Sequence, residues 1–325
     1  MHKFSPLDSY IGGRKMINYY KNVNGKITEV NACEEGCWIN CTAPDDDELD
    51  MLIDDYNIDP DFLKSALDAE ESSHIDCENG NTLIVVDIPV AKRSEKSITY
   101  HTMPLGIILT DANVVTLSLR ENVVIGEFAE GVVRNVYPQF RTQFVLHIIL
   151  RVAMKYLQYL KQIDKISDHA EHELRKSMKN KELIQLLEIE KSLVYFSSSL
   201  KANEATLEKI SRGRLVKLYE EDRELLDDVL IEVRQAIDMS NTHMNILAST
   251  MDVFASIISN NLNIVMKVLA SITLLSSIPT IISGIYGMNV EYLPFTEKQY
   301  WWFPVVFTGA IIVLVAYILK KKDML

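Results

Sequence analysis

Two stretches of the chain, Val268 to Asn289 and Gln299 to Leu319, contain no charged residue. Each reaches the roughly 20 residues that a helix needs to cross a hydrocarbon core. Only the segment Val290 to Gln299 joins them. Two adjacent spans with so short a connection form a hairpin, with both outer ends on one side of the bilayer. Everything before Lys267 is polar enough to sit in water. The overall 48% hydrophobic and 24% charged residues therefore average over two different kinds of chain.

Charge divides in the same way. After Ile264 there are five lysines (Lys267, Lys298, Lys320, Lys321, Lys322) and three acids (Glu291, Glu297, Asp323), a balance of +2. The whole chain carries −12, so residues 1–264 carry −12 − 2 = −14. A domain this acidic does not suit nucleic acid, whose backbone needs basic partners; it suits cations. Lys267 precedes the first span and Lys320, Lys321 and Lys322 follow the second, while the connecting loop holds Lys298 against two glutamates. The positive-inside rule then places both ends in the cytoplasm. Tyr300, Trp301 and Trp302 fall at the outer interface, where aromatic belts belong. The opening "MHKFSPLDSYIGGRKM" has no apolar core and is not expected to be a signal peptide.

Residues 1–135 read as a mixed α/β domain. "KITEV", "CWINCTA", "TLIVVDIPV", "LGIILT" and "NVVTLSL" are short β-rich runs bounded by turn residues. "DDDELDMLIDDY" has the acidic start that helix N-termini favour, and "DPDFLKSALDAEE" places Pro60 near a helix start. Residues 136–264 change texture. From Gln139 to Ile278 there is no proline and a single glycine, Gly213, with apolar residues at spacings of three and four. Breaks near "SMKNKE" and "SRGRL" predict two antiparallel helices and then a third. That third helix runs from about Glu221 into the membrane and on to Tyr286, roughly 100 Å at 1.5 Å per residue. Residues 265–325 hold the spans, about 267–287 and 300–319. The fold class is thus an α+β cytosolic domain followed by long helices and a two-helix transmembrane hairpin.

The two spans differ in kind. The second is apolar apart from Thr308, whereas the first carries Ser271, Thr273, Ser276, Ser277, Thr280 and Ser283. Stepping back from Gly284 by four and three in turn gives Thr280, Ser277, Thr273, Ala270, Met266, Asn263, Ser259, Ser256 and Asp252. This heptad seam is small or polar almost throughout and ends on a carboxylate. Two readings fit it. Small residues let membrane helices approach closely and hydroxyls bond backbone carbonyls, which is packing. Alternatively the seam lines a wet path, which requires several copies around an axis, since one hairpin encloses nothing.

Here the residues carry a resemblance. "GIYGMN", Gly284 to Asn289, stands at the end of the first of two spans, within "VMKVLASITLLSSIPTIISGIYGMNVEYLP", and a lysine-rich "KKKDML" follows. Together with the acidic α/β domain and the long proline-free region, these resemble the CorA magnesium transporters. The resemblance implies a funnel-shaped homopentamer in the cell membrane, with the first span around a pore and the GMN turn as an outer selectivity ring. Gly287, Met288 and Asn289 are its filter residues by that resemblance, with Asn289 binding the ion. Asn263, Met266, Leu269, Thr273, Ser277 and Thr280 fall on pore-lining positions. Asp252 falls where the family places a regulatory metal between subunits, with Asp87 or Glu95 of a neighbouring copy as its partner. Two departures stand out. Ser277 occupies a position that is often larger and apolar, and "LPFTE" replaces the usual "MPEL", displacing the loop acid to Glu297.

The chemistry agrees with the resemblance. Mg²⁺ gives up its waters reluctantly, so a filter does better to hold the hydrated ion. A ring of neutral amide and carbonyl oxygens binds a dication without trapping it. Mg²⁺ is expected as the transported and regulatory ion, with Co²⁺ and Ni²⁺ as further divalent cations. Partners are other copies of the chain and the lipid bilayer, not nucleic acid. No nucleophile, P-loop or catalytic dyad is recognisable, so neither an enzyme nor a cofactor is expected. Two alternatives stay open: a zinc transporter of the ZntB type with the same architecture, and a membrane-anchored sensor or scaffold that conducts nothing. Among other candidate sites, His169 and His172 lie one turn apart and read as an exposed helix face. The run Asp45 to Asp50 reads as a helix start. Cys33, Cys37 and Cys41, at spacing four, read as buried thiols together with Cys77, since the usual C-x2-C metal spacing is absent.

Overall fold

The computed structural model describes residues 17–93, 98–177, 180–213, 215–289, 300–322 and 324. Glu95, the segment 290–299 and residues 1–16 lie outside them. The chain forms two compact units, Met1–Ala248 and Ser249–Leu325.

The first unit is built on a seven-stranded sheet: β1 Ile17–Val23, β2 Lys26–Val30, β3 Trp38–Thr42, β4 His74–Glu78, β5 Asn81–Arg93, β6 Ile98–Leu109 and β7 Val114–Ser118, in the order β2-β1-β3-β7-β6-β5-β4. Every neighbouring pair is antiparallel except β3 and β7, which run parallel from Trp38 beside Val114. Strand alternation sorts the side chains of β3. Ile39 and Cys41 enter a core with Leu52, Phe62 and Leu63 of helices α1 Asp46–Tyr56 and α2 Pro60–Ala66. Trp38 points to the other face and stacks on Tyr20, near Phe128 and Phe144 of α3 Val123–Ala129 and α4 Arg141–Ser177. Its indole N–H donates to Thr116 Oγ1 at 2.8 Å, so the buried nitrogen is satisfied.

The acidic run is a helix start. Asp45 accepts from the Glu48 N–H at 2.9 Å and Glu48 accepts from the Asp45 N–H at 3.3 Å. Such a capping box stabilises a helix by about 1 kcal/mol. Asp59 caps α2 ahead of Pro60. Where α2 crosses the sheet, a Cβ on Gly106 would stand 2.3 Å from that of Ala66, so the approach of helix to strand requires glycine there. Of the cysteines, Cys37 and Cys41 are buried and Cys33 is partly covered, but Cys77 is exposed. It lies on the edge strand β4, where only Ile75 is buried.

Helix α5 Asn180–Ser211 closes the open side of the sheet. β4 ends at His74, opposite Val85. The next residue of β5 to point the same way, Asp87, has no strand to bond. Asn203 of α5 takes the strand's place, its Oδ1 accepting the Asp87 N–H at 2.9 Å and its Nδ2 donating to the Asp87 carbonyl at 2.9 Å. Tyr156 of α4 donates to the same carbonyl at 3.1 Å. Asp87 itself is only 8% exposed. Burial raises its pKa, an effect the Ser199 hydroxyl partly offsets. Among the described residues no basic side chain pairs with it.

A carboxyl whose folded pKa exceeds its unfolded value contributes most to stability below the unfolded value and loses that contribution as pH rises through the folded one. At neutral pH Asp87 is therefore a destabilising charge. Asp87→Asn is expected to raise the unfolding midpoint of the full chain in detergent at pH 7.5. Wild type and variant should converge as pH falls into the ordinary carboxylate range near 4. A variant less stable than wild type at pH 7.5 would refute this reading.

The remaining helices are α6 Glu220–Tyr286, of 67 residues, which belongs to both units, and α7 Phe303–Lys321. In the first unit α6 is tied to α5 by Arg234, which donates to Glu204 at 2.7 Å and Glu208 at 3.1 Å, and by Ser240, which donates to the Leu193 carbonyl at 3.1 Å.

Candidate functional site

In the second unit the end of α6 and all of α7 are long and apolar enough to cross a membrane. α6 continues through Pro279, although that residue has no N–H for the Leu275 carbonyl. Apart from Ser277, the covered positions of α6 here are Ser271, Leu275, Ile278, Ile282 and Tyr286, spaced by four and three. Those of α7 form a similar stripe through Pro304, Thr308, Ile311, Val315 and Leu319. Two covered stripes in a unit made of two helices are the faces that meet. At 100° per residue the seam from Met266 to Gly284 lies roughly 160° around α6 from the covered stripe. The seam therefore looks away from α7. Asp252, Ser256, Ser259, Asn263, Met266, Ala270, Thr273, Thr280 and Gly284 are all exposed, and Ser277 is half-covered. Met266, Leu269, Ala270, Thr273, Leu274 and Ser277 line a shallow groove along it, because alanine, threonine and serine leave room between larger neighbours.

The hydroxyls of the seam are oriented. Thr273 Oγ1 donates to the Leu269 carbonyl at 2.8 Å, Ser277 Oγ to the Leu274 carbonyl at 2.8 Å, and Thr280 Oγ1 to the Ser276 carbonyl at 3.2 Å. Each proton is spent inside the helix, so what remains outward is lone pairs. Over Thr273, Ser277 and Thr280 the outward-facing oxygens are acceptors, which favour a cation, or the protons of a cation's waters, over an anion. The sequence shows the hydroxyls, and a serine or threonine in a helix back-bonds by default. That default was the signal from which this orientation was readable.

α6 ends at Tyr286, and Gly287 begins a turn in which its N–H donates to the Ser283 carbonyl at 2.8 Å. A Cβ on Gly287 would stand 3.1 Å from that carbonyl, which keeps the position small. Met288 and Asn289 follow, both exposed, so the Asn289 amide stands free of its own chain's packing. Met266 and Leu269, 55% and 56% exposed, form the apolar band nearest the Lys267 end of the groove. Asp252 is exposed on α6. Of its two suggested partners, Asp87 is 8% exposed in the first unit, and Glu95 lies outside the described residues. His169 and His172 are exposed. No group of three or more His, Cys, Asp or Glu side chains suited to a metal occurs among the described residues.

An α/β/α domain, a helix of 67 residues and two segments long and apolar enough to cross a membrane together define the class of two-span membrane proteins. A family model described as CorA-like Mg²⁺ transporter protein matches residues 34–321, and the chain belongs to that family. The cobalt/magnesium transport protein CorA of Methanocaldococcus jannaschii is 29% identical over 290 residues, which is 88% of this chain and 90% of the relative. The complete structure of the CorA magnesium transporter from the same organism superposes with a TM-score of 0.83 at 26% identity, over 95% of this chain and 99% of that one. The cytoplasmic domain of ZntB from Vibrio parahaemolyticus superposes with a TM-score of 0.59 over 75% of this chain and 98% of that one. At 10% identity the ZntB match shows the fold alone.

Proposed function

We propose that copies of this chain assemble as a homopentamer around the α6 seam and conduct hydrated Mg²⁺ into the cell, with Co²⁺ and Ni²⁺ as further substrates. The observation that carries this reading is the seam itself: a largely exposed face whose Thr273, Ser277 and Thr280 hydroxyls turn acceptors outward, set opposite the stripe that α7 covers. A non-conducting anchor has no use for such a face on one span only. In the assembly the seams face a common axis and α7 forms the outer, lipid-facing ring. Asn289, with the backbone at Gly287 and Met288, accepts hydrogen bonds from the ion's waters at the outer mouth. The Met266–Leu269 band forms a constriction that dewets when the pore closes. Lys267 and Lys320–Lys322 support an orientation with both ends of the hairpin in the cytoplasm. The driving force is the inward electrical and chemical gradient for the ion.

Single cysteines along α6, probed with a water-soluble thiol reagent on a Cys-free background, test the helix phase. Positions 266, 273 and 280 are expected to react and to be protected by Mg²⁺, while 275 and 282 stay inert. Reaction at 275 and 282 with silence along the seam would put the seam against lipid or protein and remove the path.

A further inference from the structure

Ser271 breaks the pattern of the α6 hydroxyls. Thr273, Ser277, Thr280 and Ser283 donate to carbonyls three or four residues back in their own helix. Ser271, only 1% exposed, donates instead across the hairpin to the backbone carbonyl of Met324 at 2.7 Å. The chain beyond α7 bends to meet it: the Lys322 N–H donates to the Ile318 and Leu319 carbonyls at 3.1 Å, and the Met324 N–H also donates to Leu319 at 3.1 Å.

This contact brings the Lys267 end of the span in α6 beside the lysine-bearing end of α7. Lys267 lies four residues, one helical turn or roughly 6 Å, before Ser271. Lys320, Lys321 and Lys322 end α7 and lead into Met324. All four are exposed, and among the described residues none is in an ion pair. Asp323 is not among the described residues; counting it, the group carries +4 − 1 = +3. The nearest acid back along α6 is Asp252, 15 residues before Lys267, which is roughly 22 Å at 1.5 Å per residue. Unpaired lysines at the rim of an apolar band sit where a bilayer places its phosphates, and each contributes about 1 kcal/mol toward an anionic leaflet.

We infer that Lys267, Lys320, Lys321 and Lys322 form a site for the phosphodiester headgroup of an anionic phospholipid, which clamps the two ends of the hairpin together. The inference rests on the reading that this unit spans a bilayer. The bound group is a phosphate ester held by ammonium groups from both segments, and the Ser271–Met324 bond sets their spacing.

The test uses the full chain, reconstituted with phosphatidylcholine alone or with phosphatidylglycerol added, then read by native mass spectrometry for retained lipid. Wild type is expected to retain phosphatidylglycerol in preference to phosphatidylcholine. K320Q/K321Q/K322Q should lose apparent affinity roughly fivefold per lysine, about a hundredfold in all. The corresponding arginine variant should keep it, and Ser271→Ala should fall between. An unchanged preference in the glutamine variant overturns the site. So does full displacement of the lipid by glycerol phosphate at equal concentration, which would make it a site for soluble phosphate. Dissociation of the glutamine variant's oligomer in lipid-free detergent would assign the lysines to the acidic unit of a neighbouring copy, and also overturns it. Flotation of wild type with phosphatidylcholine vesicles reports on the membrane reading separately; a chain that does not float overturns both.

Discussion

Asn289→Ala is expected to abolish Mg²⁺ uptake while leaving the assembled, folded protein intact. Asn289 is exposed just beyond the end of α6 and its amide supports none of the described packing, so its loss does not disturb the fold. In the proposed assembly the variant loses a ring of neutral side-chain oxygens at the outer mouth, the groups proposed to hold the ion's first-shell waters. Because Mg²⁺ sheds those waters reluctantly, no other group compensates by binding the bare ion. Uptake by cells expressing the variant should fall to the level of cells without the protein, with unchanged elution on size exclusion. A hexaamminecobalt(III) ion, similar in size to hydrated Mg²⁺ and unable to exchange its ligands, should block wild type from outside. Normal uptake by the assembled variant would remove Asn289 from the filter, and indifference to the cobalt complex would argue against recognition of the hydrated ion.

Asp252→Asn is expected to leave the pore open at Mg²⁺ concentrations that close wild type. Asp252 is exposed on the seam face of α6, so in an assembly around that seam its copies converge. Like charges brought together repel, and a dication between them cancels the repulsion. On this proposal falling cytosolic Mg²⁺ would let the subunits splay, giving negative feedback without a separate sensor. Limited proteolysis across a Mg²⁺ titration reads this out. Wild type should gain protection as Mg²⁺ rises, and the variant should need about tenfold more or fail to be protected, as expected for loss of 1–3 kcal/mol of coupling. Superimposable protection curves would take Asp252 out of gating.

Most of the architecture was legible because its signals are local. "KITEV", "CWINCTA" and "NVVTLSL" alternate or run apolar between turn residues and became β2, β3 and β7. The proline-free region became the long helices α4 and α5 and most of α6, parted near the two breaks that the sequence shows. β1 and β4 escaped notice for a physical reason. "INYYKNV" and "HIDCE" bury few residues, and β4 takes its place from pairing with β5 rather than from its own pattern. α3 is only seven residues and shows too little periodicity to read. The seam was legible as a spacing, since a heptad repeat survives in the sequence. Its separation from the covered stripe was not, because that depends on which face α7 meets. The Ser271–Met324 bond joins residues 53 apart in sequence, so no local pattern announces it. Asn203 reads as one more polar residue in a long helix until the end of β4 shows what it replaces.

If copies of this chain alone make a conductive path for Mg²⁺ along the α6 seam, the purified protein suffices for flux. Purified full-length protein in liposomes loaded with a Mg²⁺-sensitive dye tests it most directly, with Zn²⁺ and a matching dye in a parallel arm and an inside-negative potential imposed. Mg²⁺ entry is expected to rise with the potential and to stop with hexaamminecobalt(III). Entry of Zn²⁺ without Mg²⁺ would turn the assignment to a zinc transporter of the same fold, and entry of neither ion into vesicles shown to contain the assembled protein would contradict a path altogether.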